Sequence, residues 1–310
     1  MKWRIKNPAP IGPRLKKWGD YHFGRSLTKY LERFGEEVET DYDPEWDNDK
    51  AADVVVVLRG KYPYNVKGDA LHIMWNISHP ESVPLEEYEA YDLVFIAGES
   101  HASDVAKQVS VPVRPLLQCT DTEEFYLPTP ENDNQRSGFI FVGNSKNAER
   151  PCVPWAIEYG LPLQVWGRMW GKWIDKQRYL VAEYIDNEDL GELYCRSRAT
   201  LNDHWPTMKQ YGFINNRIFD ALACGLPIIS DYHEALHHIF PDEILYYSNR
   251  SEFNTCLNEI LLNYPAIKAK VDGLHDRIQR EYSFEARAKS FIDAVTDLKQ
   301  QRKKMSNSLG

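Results

Sequence analysis

The first half of the chain alternates short apolar runs with an amphipathic stretch. The runs have the length of buried strands, and residues 23–34 have the spacing of a helix. We predict strands at Lys2–Lys6, Val38–Asp41, Val54–Arg59, Leu71–Ile77, Leu93–Ala97 and Val113–Leu117. Strands that are apolar on both faces and alternate with helices predict a parallel sheet covered by helices.

The same pattern restarts after residues 127–135, LPTPENDNQ, which have the composition of a linker. Beyond them we predict strands at Gly138–Val142, Leu163–Trp166 and Ala199–Leu201, and helices at Pro154–Tyr159 and Asp189–Cys195. The sequence therefore predicts two α/β domains, residues 1–130 and 136–284, and a terminal helix over 285–304 with apolar residues at helical spacing. A cleft between two such domains is a favoured place for a small-molecule site.

Residues 211–231, YGFINNRIFDALACGLPIISD, carry the strongest functional signal. On a helix, Asn216, Arg217 and Asp220 fall within one arc of roughly 100°, and apolar side chains fill the opposite side. Gly225 then supplies a left-handed residue that ends the helix, ahead of a buried strand. At the mouth of a sheet a carboxylate can bind a ribose diol, and an arginine can neutralise a diphosphate. The alternative is a surface helix with an Arg217–Asp220 ion pair.

This stretch resembles the nucleotide-binding segment of GT-B glycosyltransferases of the "glycosyl transferases group 1" type. Their pattern G-x-x-N-R-x-F-E-A-x-A-C-G-x-P-x-I-x-D is matched here by Gly212, Asn216, Arg217, Phe219, Asp220, Ala221, Ala223, Cys224, Gly225, Pro227, Ile229 and Asp231. Upstream VWGRMW (165–170), YI (184–185) and EDLGELY (188–194), and downstream EYSFEARA (281–288), follow in the family's order.

The resemblance implies a GT-B fold: two Rossmann-like domains face each other across a cleft, and the C-terminal helix crosses back to the N-terminal domain. It implies an enzyme that moves a sugar from a nucleoside-diphosphate donor, such as a UDP-sugar, to a hydroxyl of a glycan or lipid-linked glycan. The implied context is bacterial surface polysaccharide synthesis, lipopolysaccharide O-antigen or capsule. A nucleotide-sugar epimerase on the same fold and a non-catalytic nucleotide- or sugar-binding protein are the alternatives.

One departure from the family bears on mechanism. Many relatives carry two glutamates eight residues apart, whereas this chain has Gly212 and Asp220 at those positions. Because the first glutamate of retaining relatives is absent, inversion of the anomeric centre is favoured over retention.

The second domain is expected to bind the donor. Gly143 and Asn144 follow its first strand, where backbone N–H groups at a helix start can cradle a diphosphate. Arg168 follows the next strand, and by family position Tyr184 and Ile185 border the nucleobase. The alternative for Gly143 and Asn144 is a simple turn. Arg168 could instead be an ordinary surface arginine, and Tyr184 and Ile185 could simply pack within a strand.

Asn202 and His204 end another predicted strand of the second domain, at Ala199–Leu201. They therefore sit at a carboxyl edge of the predicted sheet. A solvated loop histidine is the alternative reading.

The first domain is expected to bind the acceptor and to supply any catalytic base. Trp18, Tyr21 and His22 form an aromatic loop suited to stacking on a sugar, and Asp20 or His22 could remove the acceptor proton. Asp20 as a helix N-cap is the alternative.

Two further groups follow predicted strands of the first domain. His79 and Glu81 follow Leu71–Ile77 and are candidate bases, and Gly98-Glu99-Ser100-His101 follows Leu93–Ala97 in the same manner. The sequence does not rank these groups.

Composition excludes several classes of protein. The 310 residues carry a net charge of −9, which opposes a nucleic-acid partner. Five scattered cysteines suggest neither a disulfide framework nor a zinc site, so a reducing, cytoplasmic compartment is expected. No Asp-x-Asp pair ends a strand, so we expect no metal and no cofactor.

No apolar run is long enough to span a membrane, and the first residues lack the apolar core of a signal peptide. The basic cluster Lys299, Arg302, Lys303 and Lys304 suggests at most peripheral contact with the inner membrane. The polar C-terminal end is compatible with a module of a larger polypeptide.

Overall fold

A computed structural model, which describes residues 1–48 and 50–308, divides the chain into two compact units. The first comprises Met1–Cys119, Gln210–Phe213 and the chain from Tyr282 onward. The second comprises Thr120–Lys209 and Ile214–Glu281. Each unit is built around one six-stranded sheet.

All strand pairs in both sheets are parallel. The first sheet contains β1 (Lys2–Pro10), β2 (Glu37–Asp43), β3 (Val54–Arg59), β4 (Leu71–Asn76), β5 (Leu93–Ile96) and β6 (Val113–Pro115). The second contains β7 (Ser137–Val142), β8 (Leu163–Trp166), β9 (Leu180–Ala182), β10 (Ser197–Asn202), β11 (Ile228–Asp231) and β12 (Ile244–Tyr247).

The helices, in chain order, connect these strands or follow them. They are α1 (Gly19–Arg33), α2 (Leu85–Tyr88), α3 (Glu99–Ala106), α4 (Pro130–Asp133), α5 (Cys152–Tyr159), α6 (Lys176–Tyr179), α7 (Asn187–Arg196), α8 (Pro206–Gln210), α9 (Asn216–Ala223), α10 (Glu234–Ile239), α11 (Arg250–Leu262), α12 (Tyr264–Asp272), α13 (His275–Glu281) and α14 (Phe284–Ser308). Short 3-10 turns lie at Leu15–Lys17 and Pro80–Ser82.

The last helix, α14, belongs to the first unit. It packs along α1, and its buried residues Phe284 and Phe291 join the core of the first sheet. The Phe291 ring lies 5.5 Å from the Trp75 ring and 5.1 Å from the Phe95 ring. Arg287 donates to the Leu117 carbonyl at 2.8 Å. The expectation that the C-terminal helix returns to the N-terminal domain is confirmed.

The strand orders define where each sheet can bind a ligand. The second sheet has the order β9-β8-β7-β10-β11-β12, which is a doubly wound order that reverses between β7 and β10. The first has the order β2-β1-β3-β4-β5-β6 and reverses between β1 and β3. Ligands of open α/β sheets bind beyond the carboxyl ends of the strands at such switch points.

Helix α9 ends as the sequence predicts. Gly225 has a φ of 61°, and its N–H donates to the Leu222 carbonyl while the Leu226 N–H donates to the Ala221 carbonyl. These two bonds form a Schellman motif. The chain then enters β11 directly, which fixes α9 against the sheet.

Other elements differ from the sequence-based expectation. Strand β1 continues to Pro10, four residues beyond its predicted end at Lys6. Strands β9 and β12 and the helices between β11 and α14 were not predicted, because they are short or lack a clear apolar period.

The segment from Thr120 to Tyr126, ahead of the predicted linker, belongs to the second unit. The Phe125 ring lies 5.9 Å from the Tyr194 ring, and helix α4 lies inside the predicted linker. The domain bounds 1–130 and 136–284 stay a prediction.

No helix in the described part of the chain is both long and apolar enough to cross a membrane. The five cysteines are buried as free thiols.

A helical glycine offers a test of the second unit's packing. A Cβ added at Gly191, inside α7, would lie 2.1 Å from the Glu124 carbonyl oxygen, whereas one added at Gly171 would meet only the Lys176 side chain at 3.7 Å. Alanine favours a helix interior by about 1 kcal/mol over glycine, so propensity alone predicts that G191A stabilises. We expect the clash to dominate and G191A to lower the free energy of unfolding by about 1–3 kcal/mol.

The measurement is urea unfolding of G191A beside G171A. G171A is the matched control and should unfold like the wild type. A G191A protein as stable as the wild type would contradict this packing.

Candidate functional site

The candidate site of the second unit lies at the carboxyl edge of its sheet, around the switch point. Strands β7 and β10 end there at Val142 and Asn202, and α9 begins there at Asn216. The loops after these strands are held together by two arginines, Arg217 and Arg150.

Arg217 joins the ends of the two central strands. Its Nη1 donates to the Val142 carbonyl at 2.7 Å and its Nη2 donates to the Asp203 carbonyl at 3.2 Å. Arg217 therefore bonds to main-chain carbonyls, and it does not form the ion pair with Asp220 that was the alternative interpretation. A Cβ at Gly143 would lie 2.8 Å from Nη1, so a glycine at this position leaves room for the guanidinium. The two bonds to the carbonyls use two of the five N–H donors of the guanidinium and leave three.

The position of Asp220 differs from the prediction that it shares an accessible polar face of α9 with Asn216 and Arg217. Its side chain is buried, with 3% of its surface exposed, although Asn216 and Arg217 are only half-buried. Burial raises the pKa of Asp220 well above its ordinary value, and the nearby carboxylates of Glu124 and Asp121 raise it further. Asn216 donates to its Oδ2 at 3.2 Å. Asp220 is enclosed because residues 120–126 cover this side of the helix, which helix periodicity could not reveal.

The loop after β7 differs from the expected diphosphate cradle. The Gly143 N–H donates to the Trp166 carbonyl at 2.8 Å, and the Ser145 N–H donates to the Arg168 carbonyl at 3.0 Å. Helix α5 begins only at Cys152, so these N–H groups do not open a helix. The cradle expectation is wrong for these two groups because the loop after β8 binds them. The Asn144 side chain likewise accepts from the Arg168 N–H at 2.7 Å.

Arg168, Tyr184 and Ile185 lie on loops of the same unit. The Arg168 side chain is exposed. Tyr184 and Ile185 are half-buried between β9 and α7, rather than within a strand, and they line a cavity of about 350 Å³ with Trp166. The alternative that Tyr184 and Ile185 simply pack within a strand is therefore wrong. The planar side chain of Tyr184 borders an open pocket.

Arg150 and Asp203 form a buried ion pair that the sequence analysis missed. The guanidinium contacts both carboxylate oxygens of Asp203, and its Nη1 donates to the Asn144 carbonyl at 3.2 Å. Arg150 also lies 4.3 Å from the centre of the Trp205 ring. The sequence did offer one sign of this pair: Asp203 lies between Asn202 and His204, at the end of a predicted strand.

Asn202 and His204 are buried at the end of β10. His204 Nδ1 lies 2.8 Å from Asp231 Oδ1 at the end of β11, and Asn202 donates to the Ser230 hydroxyl at 2.9 Å. Lys209 Nζ lies 3.5 Å from the other Asp231 oxygen. The alternative of a solvated loop histidine is wrong, because the His204 side chain is only 1% exposed.

In the first unit, the predicted acceptor residues lie at the start of α1. Trp18 is the N-cap residue and is 39% exposed, so Asp20, inside the first turn, is not the N-cap. Tyr21 stacks on Tyr42 at 5.9 Å. His22 Nε2 lies 2.7 Å from the Lys16 carbonyl, which holds the ring against the preceding turn. Trp18 and Asp20 thus follow β1, one of the two strands at the first switch point.

His79 and Glu81 lie together after β4. His79 has a φ of 54°, and its Nδ1 lies 3.8 Å from Glu81 Oε1 with both side chains about one-third exposed. They follow a different strand from Trp18 and Asp20, with β3 between β1 and β4.

A buried polar network near them was missed by the sequence analysis. Arg59, at the end of β3, forms a bidentate pair with Glu87. The Tyr88 hydroxyl lies 3.4 Å from both Asn76 Oδ1 and His101 Nε2. Burial lowers the pKa of His101, the one member of the Gly98–His101 group that joins this network. Its members lie on separate strands and helices, so sequence spacing gave no sign of it.

In each sheet the strand order reverses at a switch point, and polar groups lie at the carboxyl edge there. The protein therefore consists of two Rossmann-like units. Residues 150–293 match the family model described as "Glycosyl transferase-like". The matched region includes Arg150, Asp203, Arg217 and Asp220. A search of curated proteins gives no match.

Several solved structures have the same fold, and glycosyltransferases are among them. Sucrose-phosphate synthase from Thermosynechococcus elongatus has a TM-score of 0.70 at 12% identity, over 97% of this chain and 99% of that chain. T4 phage BGT in complex with its UDP-glucose substrate has a TM-score of 0.65 at 16% identity, over 95% and 99%. Anabaena Alr3699/HepE in complex with UDP-glucose has a TM-score of 0.57 at 9% identity, over 99% and 100%.

The chain therefore has the GT-B fold, and residues 150–293 match the glycosyl transferase-like family model. The family match and the fold together confirm the resemblance, the fold class and the enzyme class predicted from the motifs.

The raised pKa of Asp220 gives a prediction about stability. A carboxyl group whose pKa is higher in the folded than in the unfolded state costs stability once the pH exceeds the unfolded value, near 3.9. We expect D220N, which cannot ionise, to be more stable than the wild type at pH 7 by about 1 kcal/mol or more, with the difference vanishing near pH 3.

Urea unfolding at both pH values measures this difference. D242N, at an exposed position of the same unit, is the control and should match the wild type at both. A D220N protein less stable than the wild type at pH 7 would mean that the carboxylate is stabilised by its surroundings.

Proposed function

We propose that this glycosyltransferase transfers a sugar from a nucleoside-diphosphate donor bound at the carboxyl edge of the second sheet. The observation that carries the proposal is the position of Arg217. Its guanidinium is fixed at the switch point between β7 and β10, with donors left over, next to the buried Asp220. UDP is the nucleotide we favour, because the similar structures of T4 phage BGT and HepE are described with UDP-glucose.

Each candidate residue has a role in this proposal. Arg217, with Arg168 on the neighbouring loop, neutralises the diphosphate, while Gly143 and Asn144 shape the loop that lies beside it. Tyr184 and Ile185 border the nucleobase, and Asp220 with Asn216 binds the ribose hydroxyls. Because burial raises the pKa of Asp220, its carboxyl group can donate as well as accept a hydrogen bond to a ribose hydroxyl.

Fixed cations lower the barrier by binding the departing diphosphate more tightly than the intact donor. As the bond from the anomeric carbon to the diphosphate oxygen breaks, negative charge develops on that oxygen. Donors that are already oriented stabilise this charge without reorganisation. The proposal therefore includes transfer without a metal ion, and with no cofactor.

The first unit supplies the acceptor side. Trp18 and Tyr21 offer aromatic faces for a sugar ring, with His22 beside them. Asp20 and the His79–Glu81 pair are the candidate bases for the acceptor hydroxyl. In-line attack by that hydroxyl would invert the anomeric centre, in keeping with glycine at position 212.

Bacterial surface polysaccharide is the product class we propose, with a glycan or lipid-linked glycan as the acceptor. A cytoplasmic enzyme, with peripheral contact at the inner membrane, suits a nucleotide-sugar donor. These assignments follow from the family resemblance, and the activity experiments below do not depend on them.

Arg217 gives the direct test of the donor site. We expect R217A to weaken UDP binding by about 1.5–3 kcal/mol, the scale of a hydrogen bond to a charged group. R217K should lose most of this affinity as well, because lysine cannot replace the forked contacts with the Val142 and Asp203 carbonyls. Isothermal calorimetry measures both.

R280A is the matched control, because Arg280 is exposed in the same unit and pairs with Glu281. Circular dichroism establishes that the variants are folded. Unchanged UDP affinity in a folded R217A protein would remove the donor site from this sheet edge.

The metal question has its own experiment. Among residues 1–48 and 50–308, no three side chains of His, Cys, Asp or Glu are grouped so as to hold a metal ion. However, one similar structure is described as T4 phage BGT with UDP and Mn²⁺. We expect donor turnover, followed by UDP release, to persist in excess EDTA. Loss of turnover that Mg²⁺ or Mn²⁺ restores would overturn metal independence.

A further inference from the structure

The His204 imidazole is held in one orientation at the carboxyl edge of the second sheet. Its side chain is 1% exposed, and Nδ1 lies 2.8 Å from Asp231 Oδ1. Burial alone would raise the pKa of Asp231, but His204 and Lys209 hold it below its ordinary value. Asp231 is therefore an ionised acceptor, so Nδ1 carries a proton and donates it.

The opposite nitrogen of this ring, Nε2, has no partner in the described chain. Two neighbours are in the same situation: Asn202 Oδ1, two residues earlier, and both amide atoms of Asn215, the N-cap residue of α9. A buried polar atom without a hydrogen bond is costly, and native proteins rarely leave several together. These atoms lie at the end of β10 and at the start of α9, beside the switch point, which indicates a place for a polar ligand.

The charges around the ring favour an anion. His204 and Lys209 contact Asp231, while Arg150 and Arg217 contact Asp203, the residue before His204. With His204 protonated, these four cations against two carboxylates leave an excess of two positive charges. That is the charge needed to balance a diphosphate diester.

Three other titratable groups lie near the His204–Asp231 pair, namely His233, Tyr247 and Cys152. The His233 ring lies 4.7 Å from the His204 ring, edge to face. The Tyr247 hydroxyl donates to the Asn202 carbonyl, and burial raises the pKa of both Tyr247 and Cys152 well above their ordinary values, which favours their neutral forms.

We propose that His204 is a donor-binding residue whose protonated Nε2 donates a hydrogen bond to a phosphate oxygen of the nucleotide sugar. The inference rests on the proposed function and adds a residue that neither the family pattern nor the sequence motif assigned to the donor. Asp231 acts through His204 as a positioning residue, because its contact with Nδ1 fixes the ring. The proton stays on Nε2 during transfer, and its hydrogen bond strengthens as the diphosphate gains charge.

The first experiment measures UDP-glucose binding by calorimetry across the pH range in which imidazoles titrate. The diphosphate diester of UDP-glucose does not titrate there, so a change in affinity reports on the protein. Because binding needs the imidazolium, we expect the wild-type affinity to fall roughly tenfold as the pH rises through this range. An affinity that is independent of pH would overturn the proposal.

Matched variants assign the effect to Nε2. H204N keeps an amide that can reach Asp231 but lacks the Nε2 position, and should bind about ten- to a hundredfold more weakly, without pH dependence. H204Q can offer a neutral amide donor toward the Nε2 position, and should bind with intermediate affinity, again without pH dependence. H238N, at an exposed histidine of the same unit, should behave like the wild type.

Nitrogen NMR of labelled histidine gives a readout that a structural role would not move. One of the nine imidazoles, identified by its absence in H204N, should titrate at a higher pH when UDP-glucose is bound. A shift to lower pH would mean that Nε2 accepts from a sugar hydroxyl, and no shift would mean no contact; either result overturns the proposal. If H204N does not fold, H204Q serves for the assignment.

Failure of the inference differs from failure of the proposed function. Wild-type protein that does not bind UDP-glucose or UDP at any pH would reject both for uridine donors. Wild-type binding that R217A weakens and H204N does not would reject the inference alone.

Discussion

The candidate donor site depends on one interaction, the pair of hydrogen bonds from the Arg217 guanidinium to the Val142 and Asp203 carbonyls. These carbonyls stand at the ends of β7 and β10, the strands between which the sheet order reverses. The two strand ends present acceptors that the sheet itself no longer satisfies, and a cation from α9 satisfies both. Helix, strands and loops are thereby fixed relative to each other before any ligand binds.

A guanidinium that is half removed from water is stable only when hydrogen bonds and charges replace the water that it loses. The main-chain carbonyls meet part of this requirement, and Asp203 lies close by with its own partner, Arg150. Burial and the proximity of Arg150 lower the pKa of Arg217, which expresses the cost of holding two cations near each other. An anionic ligand would relieve that cost, in agreement with the diphosphate that we propose as part of the ligand.

Close packing at glycines completes this edge of the sheet. A Cβ at Gly167 would lie 2.1 Å from the Gly143 carbonyl, and one at Gly143 would meet Arg217 Nη1. The loops after β7 and β8 can therefore approach until their main chains exchange hydrogen bonds. The N–H groups of Gly143 and Ser145 are therefore not available to a phosphate, and the proposed donor site relies on side-chain cations instead.

The sequence by itself determined the two parallel sheets, most strand positions, the end of α9 at Gly225 and the enzyme class, because apolar periodicity, helix-terminating glycine and an ordered set of motifs are local properties. It also named Arg217, Asp220 and His204. Only the tertiary structure decided what each does: Asp220 is enclosed by residues 120–126, Arg217 bonds to carbonyls 75 and 14 residues away, and His204 pairs with Asp231 across two strands. Such contacts join segments that are distant in sequence, so neither helical arc nor spacing could specify them.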